Sequence, residues 1–251
     1  MSFYEETRAL VLGHGAIHNA YLARFQCGAL SDREFRAFAV EFYNFARFFP
    51  RILAAQLVNT EDEAVADELT RVLYSELGDG IVAHRHELLY RKFLRSVGIS
   101  VHDALGTPMR PSTRAYIDGM DALYGGGNHA MALGASFGLE HMAIPMWDQL
   151  IPGLSALRAS RYPAMDLTYF TFHRALEESH EAAMKQAVQI IDGSAGGLSS
   201  QEQQAFREGV RAVLDFLYGF WMGLEEERPQ ADGGALAAAY GDRQTGGPGR
   251  V

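Results

Sequence analysis

His173, Glu177 and His180 stand at positions i, i+4 and i+7 of the stretch Phe170-Thr171-Phe172-His173-Arg174-Ala175-Leu176-Glu177-Glu178-Ser179-His180. At about 100° per residue, the second lies ~40° and the third roughly −20° from the first, so all three leave one face of one helix. Tyr169, Phe170 and Met184 continue that face, which therefore looks inward. Two imidazoles and a carboxylate are costly to bury uncompensated, and a metal ion is the usual compensation. A buried histidine pair hydrogen-bonded to Glu177 is the competing reading.

Three further groups extend the set. Glu76 closes a helical stretch just before Gly78-Asp79-Gly80, and His86 opens the next one in His86-Glu87-Leu88-Leu89-Tyr90. Glu140 interrupts the otherwise apolar run Ala135-Ser136-Phe137-Gly138-Leu139-Glu140, where a carboxylate needs a partner. Three carboxylates and three imidazoles suit two iron or manganese ions, with no thiolate to select zinc. Six protein ligands leave open positions for dioxygen and a substrate. Glu177-Glu178-Ser179-His180 is the one Glu-x-x-His of the chain. Ferritin-like dinuclear sites use two such pairs, so the sequence does not support that type.

The elements that would position these groups are helices throughout, because no segment alternates with period two. The pattern predicts helices over about 4–25, 32–58 (with Ser31-Asp32 as its cap and Pro50 kinking or splitting it), 61–77 and 82–97. After a loop over 102–111 it predicts helices from Ser112-Thr113 to about 123 and, past Gly125-Gly126-Gly127, over 130–150. Two long helices over 166–192 and 199–227 follow. The expectation is one all-α domain over 1–227, a bundle of seven to eight helices. A mobile tail is expected over 228–251, which contains six glycines and two prolines. No repeat is visible. The 48% hydrophobic content gives a large core, yet charges interrupt every apolar run, which excludes a membrane span. A net charge of −9 argues against a nucleic-acid surface. One cysteine, Cys27, excludes an internal disulfide. With no basic and apolar leader at Met1-Ser2-Phe3-Tyr4-Glu5-Glu6, it sets a cytoplasmic location as the expectation.

With these motifs in place, the sequence resembles the haem-oxygenase-like diiron oxidases and oxygenases. Three features carry the resemblance. The first is Glu76, the glycine-rich break, His86-Glu87-Leu88-Leu89-Tyr90-Arg91-Lys92-Phe93-Leu94 and Gly98. The second is Glu140 in a mid-chain helix, and the third is His173-x3-Glu177-x2-His180. Their order and spacing agree over about residues 5–225. The resemblance implies a haem-oxygenase-like fold with Glu76, His86, Glu140, His173, Glu177 and His180 as ligands to two Fe(II) ions, with O2 as co-substrate. It further implies oxidation of a small molecule, an amino acid or derivative, by C–H abstraction leading to desaturation, cyclisation or C–C cleavage. N-oxygenation of an amine on the same site is the alternative, and an external electron donor is a possible partner. Some N-oxygenating relatives take an extra carboxylate from an earlier core helix. Here Phe42 to Arg51 offers none and Glu41 is out of register, which favours C–H chemistry.

Other residues have a functional and a plain reading. His14 or His18 could be the axial ligand of a haem-binding protein, or His18 could line a substrate pocket. Arg47 and Arg51, four apart among aromatics, could grip a substrate carboxylate, or their stems could pack while their heads reach water. Phe137 and Tyr169 are candidate pocket walls, as are Tyr43, Phe45, Phe49, Met142 and Phe172, although such stripes also make plain core. A thiaminase-like branch of this architecture uses a nucleophilic cysteine, whereas Cys27 reads as a small, buried or half-buried apolar residue at a helix end. His84 could be a spare ligand or an exposed side chain, His129 and His141 read as exposed or structural, and Glu225-Glu226-Glu227 as a solvated face. Trp221-Met222 could form a homodimer interface. A non-catalytic helical binding protein is the rival from another class.

Overall fold

The computed structural model describes residues 2–193 and 197–228. The expected tail, Arg228 apart, lies outside the described residues. Ten α-helices and no strand occur among the described residues. They are α1 (Phe3–Leu12), α2 (Ala20–Gln26), α3 (Asp32–Val58), α4 (Glu63–Glu76), α5 (His86–Ser96), α6 (Val101–Gly106), α7 (Pro111–Tyr124), α8 (His129–Ser160), α9 (Thr168–Gly193) and α10 (Ser200–Glu225). No helix of these residues is long and apolar enough to cross a membrane.

The start signals are those of isolated helices. Ser2, Ser31 and Ser199 each head a capping box with a glutamate three residues on. Asp62 accepts the Ala64 and Val65 amides at the head of α4, and Asp166 accepts that of Thr168 before α9.

Four boundaries differ from the sequence expectation. The first helix is two, because the chain turns through Gly13–His18 and Asn19 caps a new helix through Leu22. Pro50 does not divide α3, whose flanking turns carry the one missing amide bond within 27 helical residues. Likewise α8 runs past Pro145 and Pro152 to Ser160. The expected loop over 102–111 contains α6, and α7 starts at Pro111 rather than being capped by Ser112 or Thr113.

α8 is the central strut, packed on α10, α9, α2 and α7. Glycines permit the close crossing with α10: a Cβ at Gly134 would lie 2.0 Å from the Phe206 carbonyl oxygen. α9 lies against α8, α4 and α5. Aromatic rings fill the middle, including Tyr21, Phe38, Phe42, Tyr90, Phe170 and Trp221. Trp221 is wholly buried and stacks on Tyr21 within one chain, so it belongs to the core and not to a dimer face. Glu225 and Glu227, expected in solvent, are paired: Arg24 bridges Glu34 and Glu225 at 2.7 Å each, and Glu227 meets Arg33 and Arg110.

Candidate metal centre

The six candidate ligands come from four helices. Glu76 is the last residue of α4 and His86 the first of α5. Between them the chain reverses through Gly78 (φ +92°), Asp79 (φ +51°) and Gly80 (φ +79°). A Cβ on Gly78 would lie 2.6 Å from both the Arg85 nitrogen and the Ile81 oxygen, so the turn needs glycine there. Glu140 comes from the middle of α8, and His173, Glu177 and His180 from α9. All six are at most 6% exposed.

They form two groups of three, Glu76–His86–His173 and Glu140–Glu177–His180, within each of which the candidate ligand atoms lie within 4.8 Å of one another. The triplet on α9 is therefore split. At about 1.5 Å per residue, His173 and His180 stand roughly 10 Å apart along the axis, too far to share one ion.

In the first group His86 Nδ1 lies 2.7 Å and His173 Nε2 3.5 Å from the Glu76 carboxylate. His173 Nδ1 lies 3.0 Å from the Tyr169 carbonyl oxygen, to which it donates, and this turns Nε2 toward Glu76. In the second group His180 Nδ1 lies 3.3 Å from Glu140 Oε2 and 3.8 Å from Glu177 Oε2. Trp147 Nε1–H donates to Glu177 Oε1 at 2.7 Å. Within the six candidate ligands two buried atoms, His86 Nε2 and Glu177 Oε2, have no hydrogen-bond partner. Orphaned buried lone pairs of this kind are what a cation satisfies.

The protonation pattern of the metal-free chain follows from the same contacts. Burial raises the Glu76 carboxyl, but His86 and His173 outweigh it and hold the group well below the usual range. Burial and the neighbouring Glu140 push Glu177 up to about 7. Burial would lower His180, yet the hydrogen bond and charge of Glu140, with Glu177 and Glu76, raise it to about 9. A divalent cation would replace these protons.

Beside the six lies an apolar chamber of about 40 Å³. Phe45, Phe49, Met142, Met146, Trp147 and Tyr169 wall it, and Glu76, Glu140, His173 and Glu177 open onto it. Of the expected substrate residues, Tyr169 lines the chamber and four do not. His18 is exposed and bonded to the Leu12 carbonyl oxygen. Arg47 lies over the Phe48 ring and bonds Asn44, and Arg51 is exposed. Phe137 stacks on His141, on the far side of α8. Sequence reasoning missed Trp147, although it sits seven residues after Glu140 and so on the same face of α8. His14 lies in the α1–α2 turn beside Asp215, and Cys27 is exposed, not half-buried, at the C-cap of α2. His84 packs on Phe172, His129 is exposed, and His141 is buried between the Phe137 carbonyl and the Tyr4 hydroxyl. Glu41 is buried but accepts the Arg110 amide at 3.3 and 3.4 Å, at the head of α7.

A curated relative, 4-aminobenzoate synthase of Chlamydia muridarum, is 21% identical over 221 residues, 88% of this chain and 89% of that protein. A TenA homologue from Pseudomonas syringae superposes with a TM-score of 0.70 at 14% identity, covering 89% of this chain and 90% of that one. A domain with a haem-oxygenase-like fold from Shewanella denitrificans superposes at 0.66 and 14% identity, covering 89% of both chains. The fold is thus all-α and haem-oxygenase-like. Residues 36–218 match the family described as iron-containing redox enzymes, and the chain belongs to that family.

Proposed function

We propose that this protein is a non-haem diiron enzyme that uses dioxygen to oxidise a small organic molecule. One iron would be held by Glu76, His86 and His173, and the other by Glu140, Glu177 and His180. The observation that carries the reading is the pair of buried three-group clusters, with His86 Nε2 and Glu177 Oε2 left unpartnered. The donor set is oxygen and imidazole nitrogen without thiolate, which suits ferrous or manganous ions. When bound, two ferrous ions would supply electrons to dioxygen.

The chain's own residues set the surroundings. Trp147 fixes the Glu177 carboxylate, and the Tyr169 carbonyl fixes the His173 ring. Phe45, Phe49, Met142 and Met146 exclude bulk water from the chamber. No Lys or Arg lines it to pair an anion and its other walls are apolar, so the part of the substrate that enters is an apolar group without a carboxylate. An amino acid or derivative would present its side chain there, which favours C–H oxidation leading to desaturation, cyclisation or C–C cleavage. Because Glu41 is engaged by α7, it adds no fourth carboxylate to the six groups, and N-oxygenation is the second choice. At about 40 Å³ the chamber admits dioxygen, while a substrate needs the pliable Met142 and Met146 to move. The relative's name, a synthase of 4-aminobenzoate, supports a biosynthetic role.

Anaerobic Fe(II) titration of wild type and His173→Ala, followed by mixing with dioxygen and a panel of amino acids, tests the proposal. Two irons per wild-type chain, and a transient absorption whose decay one panel member accelerates, are expected. Fewer than one iron, unchanged by His173→Ala, overturns it.

A further inference from the structure

His180 is held at both ring nitrogens. Nδ1 faces the Glu140 and Glu177 carboxylates, while Nε2 lies 3.1 Å from Ser75 Oγ. Ser75 is 7% exposed and sits on the last turn of α4, one residue before Glu76. With His180 it lines an open cleft between α4 and α9, whose other walls include Glu68, Arg71, Asp79 and Gln186.

Only one arrangement lets His180 ligate through Nδ1. That nitrogen must present a lone pair, so the ring proton must sit on Nε2 and needs an acceptor. Ser75 Oγ is that acceptor, and it is the one polar side-chain atom hydrogen-bonded to Nε2 among the described residues. If the hydroxyl donated instead, the proton would lie on Nδ1, aimed at the carboxylates, and the ring could not ligate. Without the hydroxyl the Glu140 and Glu177 carboxylates beside Nδ1 draw the proton there, and no other side chain opposes them among the described residues.

We propose that Ser75 is a positioning residue that selects the Nδ1-ligating form of His180. The consecutive pair Ser75-Glu76 then sets both halves of the centre from a single turn of α4. Glu76 contributes directly to the Glu76–His86–His173 group. Ser75 acts on the Glu140–Glu177–His180 group through the His180 ring, so a shift of this turn disturbs both sites together. The inference rests on the two-ion reading above.

The test is anaerobic Fe(II) titration of full-length wild type, Ser75→Ala and Ser75→Thr, with thermal melts of the metal-free proteins to verify folding. Two ions per wild-type chain are expected. Ser75→Ala, folded and melting near wild type, keeps one ion and binds the second about 10–100-fold more weakly. Ser75→Thr, which retains the hydroxyl, restores it. In the Zn(II)-loaded protein the ion on Nδ1 leaves the ring proton on Nε2, and its 1H–15N resonance is protected from solvent exchange in wild type and Ser75→Thr and loses that protection in Ser75→Ala. A Ser75→Ala protein that binds two ions as tightly as wild type, with the Nε2 proton equally protected, overturns this inference and leaves the two-ion reading standing. Wild type binding fewer than two ions overturns both.

Discussion

Glu177 and His180 hold protons in the metal-free chain that their unfolded counterparts would release. His180 rises from 6.5 to about 9, so its bound proton stabilises the fold fully below about 6.5, and that contribution is lost as pH climbs through 9. Glu177 rises from 4.5 to about 7, so its contribution is lost between those values. Glu76 has the opposite sign, and its stabilisation is lost only as pH falls below the ordinary carboxylate range. Burial lowers His141 to about 4, and this offsets the loss at Glu177 up to about pH 6.5, so the metal-free protein is expected to melt progressively lower from about pH 6.5 to 9. Each kcal/mol moves Tm by roughly 2–4 °C in a chain of this size. Melts in chelator check this, and a Tm that is flat or rises over the interval contradicts it. Fe(II) must displace the same protons, so its affinity is expected to strengthen over that range. Trp147→Phe leaves Glu177 Oε1 buried without a donor. It should cost the metal-free protein about 1–3 kcal/mol in urea denaturation, and an unchanged midpoint would show that the indole contact is dispensable.

Among the elements, the turn between α4 and α5 is the most constrained, since it brings the last residue of one helix against the first of the next. Gly78→Ala would force a side chain into a left-handed conformation and against Arg85 and Ile81. The expected cost is about 1–3 kcal/mol, with loss of the iron held by Glu76 and His86. Urea denaturation and iron stoichiometry measure the two effects separately. A variant with wild-type values for both would show that the turn can relax without moving either ligand. α9 matters differently: one helix serves both groups because its ligands are spread over about 10 Å of its axis.

Across the whole molecule, α3, α8 and α9 enclose a chamber that is apolar on every side except the one formed by the candidate ligands. Ala143→Leu should fill it. The expected result is two irons bound as in wild type, loss of substrate-accelerated oxygen consumption, and at most about 1–3 kcal/mol of overpacking strain. Oxygen-electrode traces with and without the active panel member check this. Retained acceleration would place the substrate elsewhere.

The sequence by itself determined most helices, their caps and the inward face carrying His173, Glu177 and His180, because helical periodicity and capping act within a few residues. It also exposed Glu76, His86 and Glu140, since charged groups on apolar or turn-bounded stretches stand out locally. The tertiary structure decided the rest. It divided six groups into two threes, sent Glu41 to the head of α7 and set Trp147 on Glu177. It made Phe45 and Met146 chamber walls while leaving Phe137, Arg47, Arg51 and His18 outside. The physical reason is that these outcomes depend on how α3, α4, α8 and α9 cross, and crossings are fixed by close packing between residues distant in the chain, such as Gly134 against Phe206.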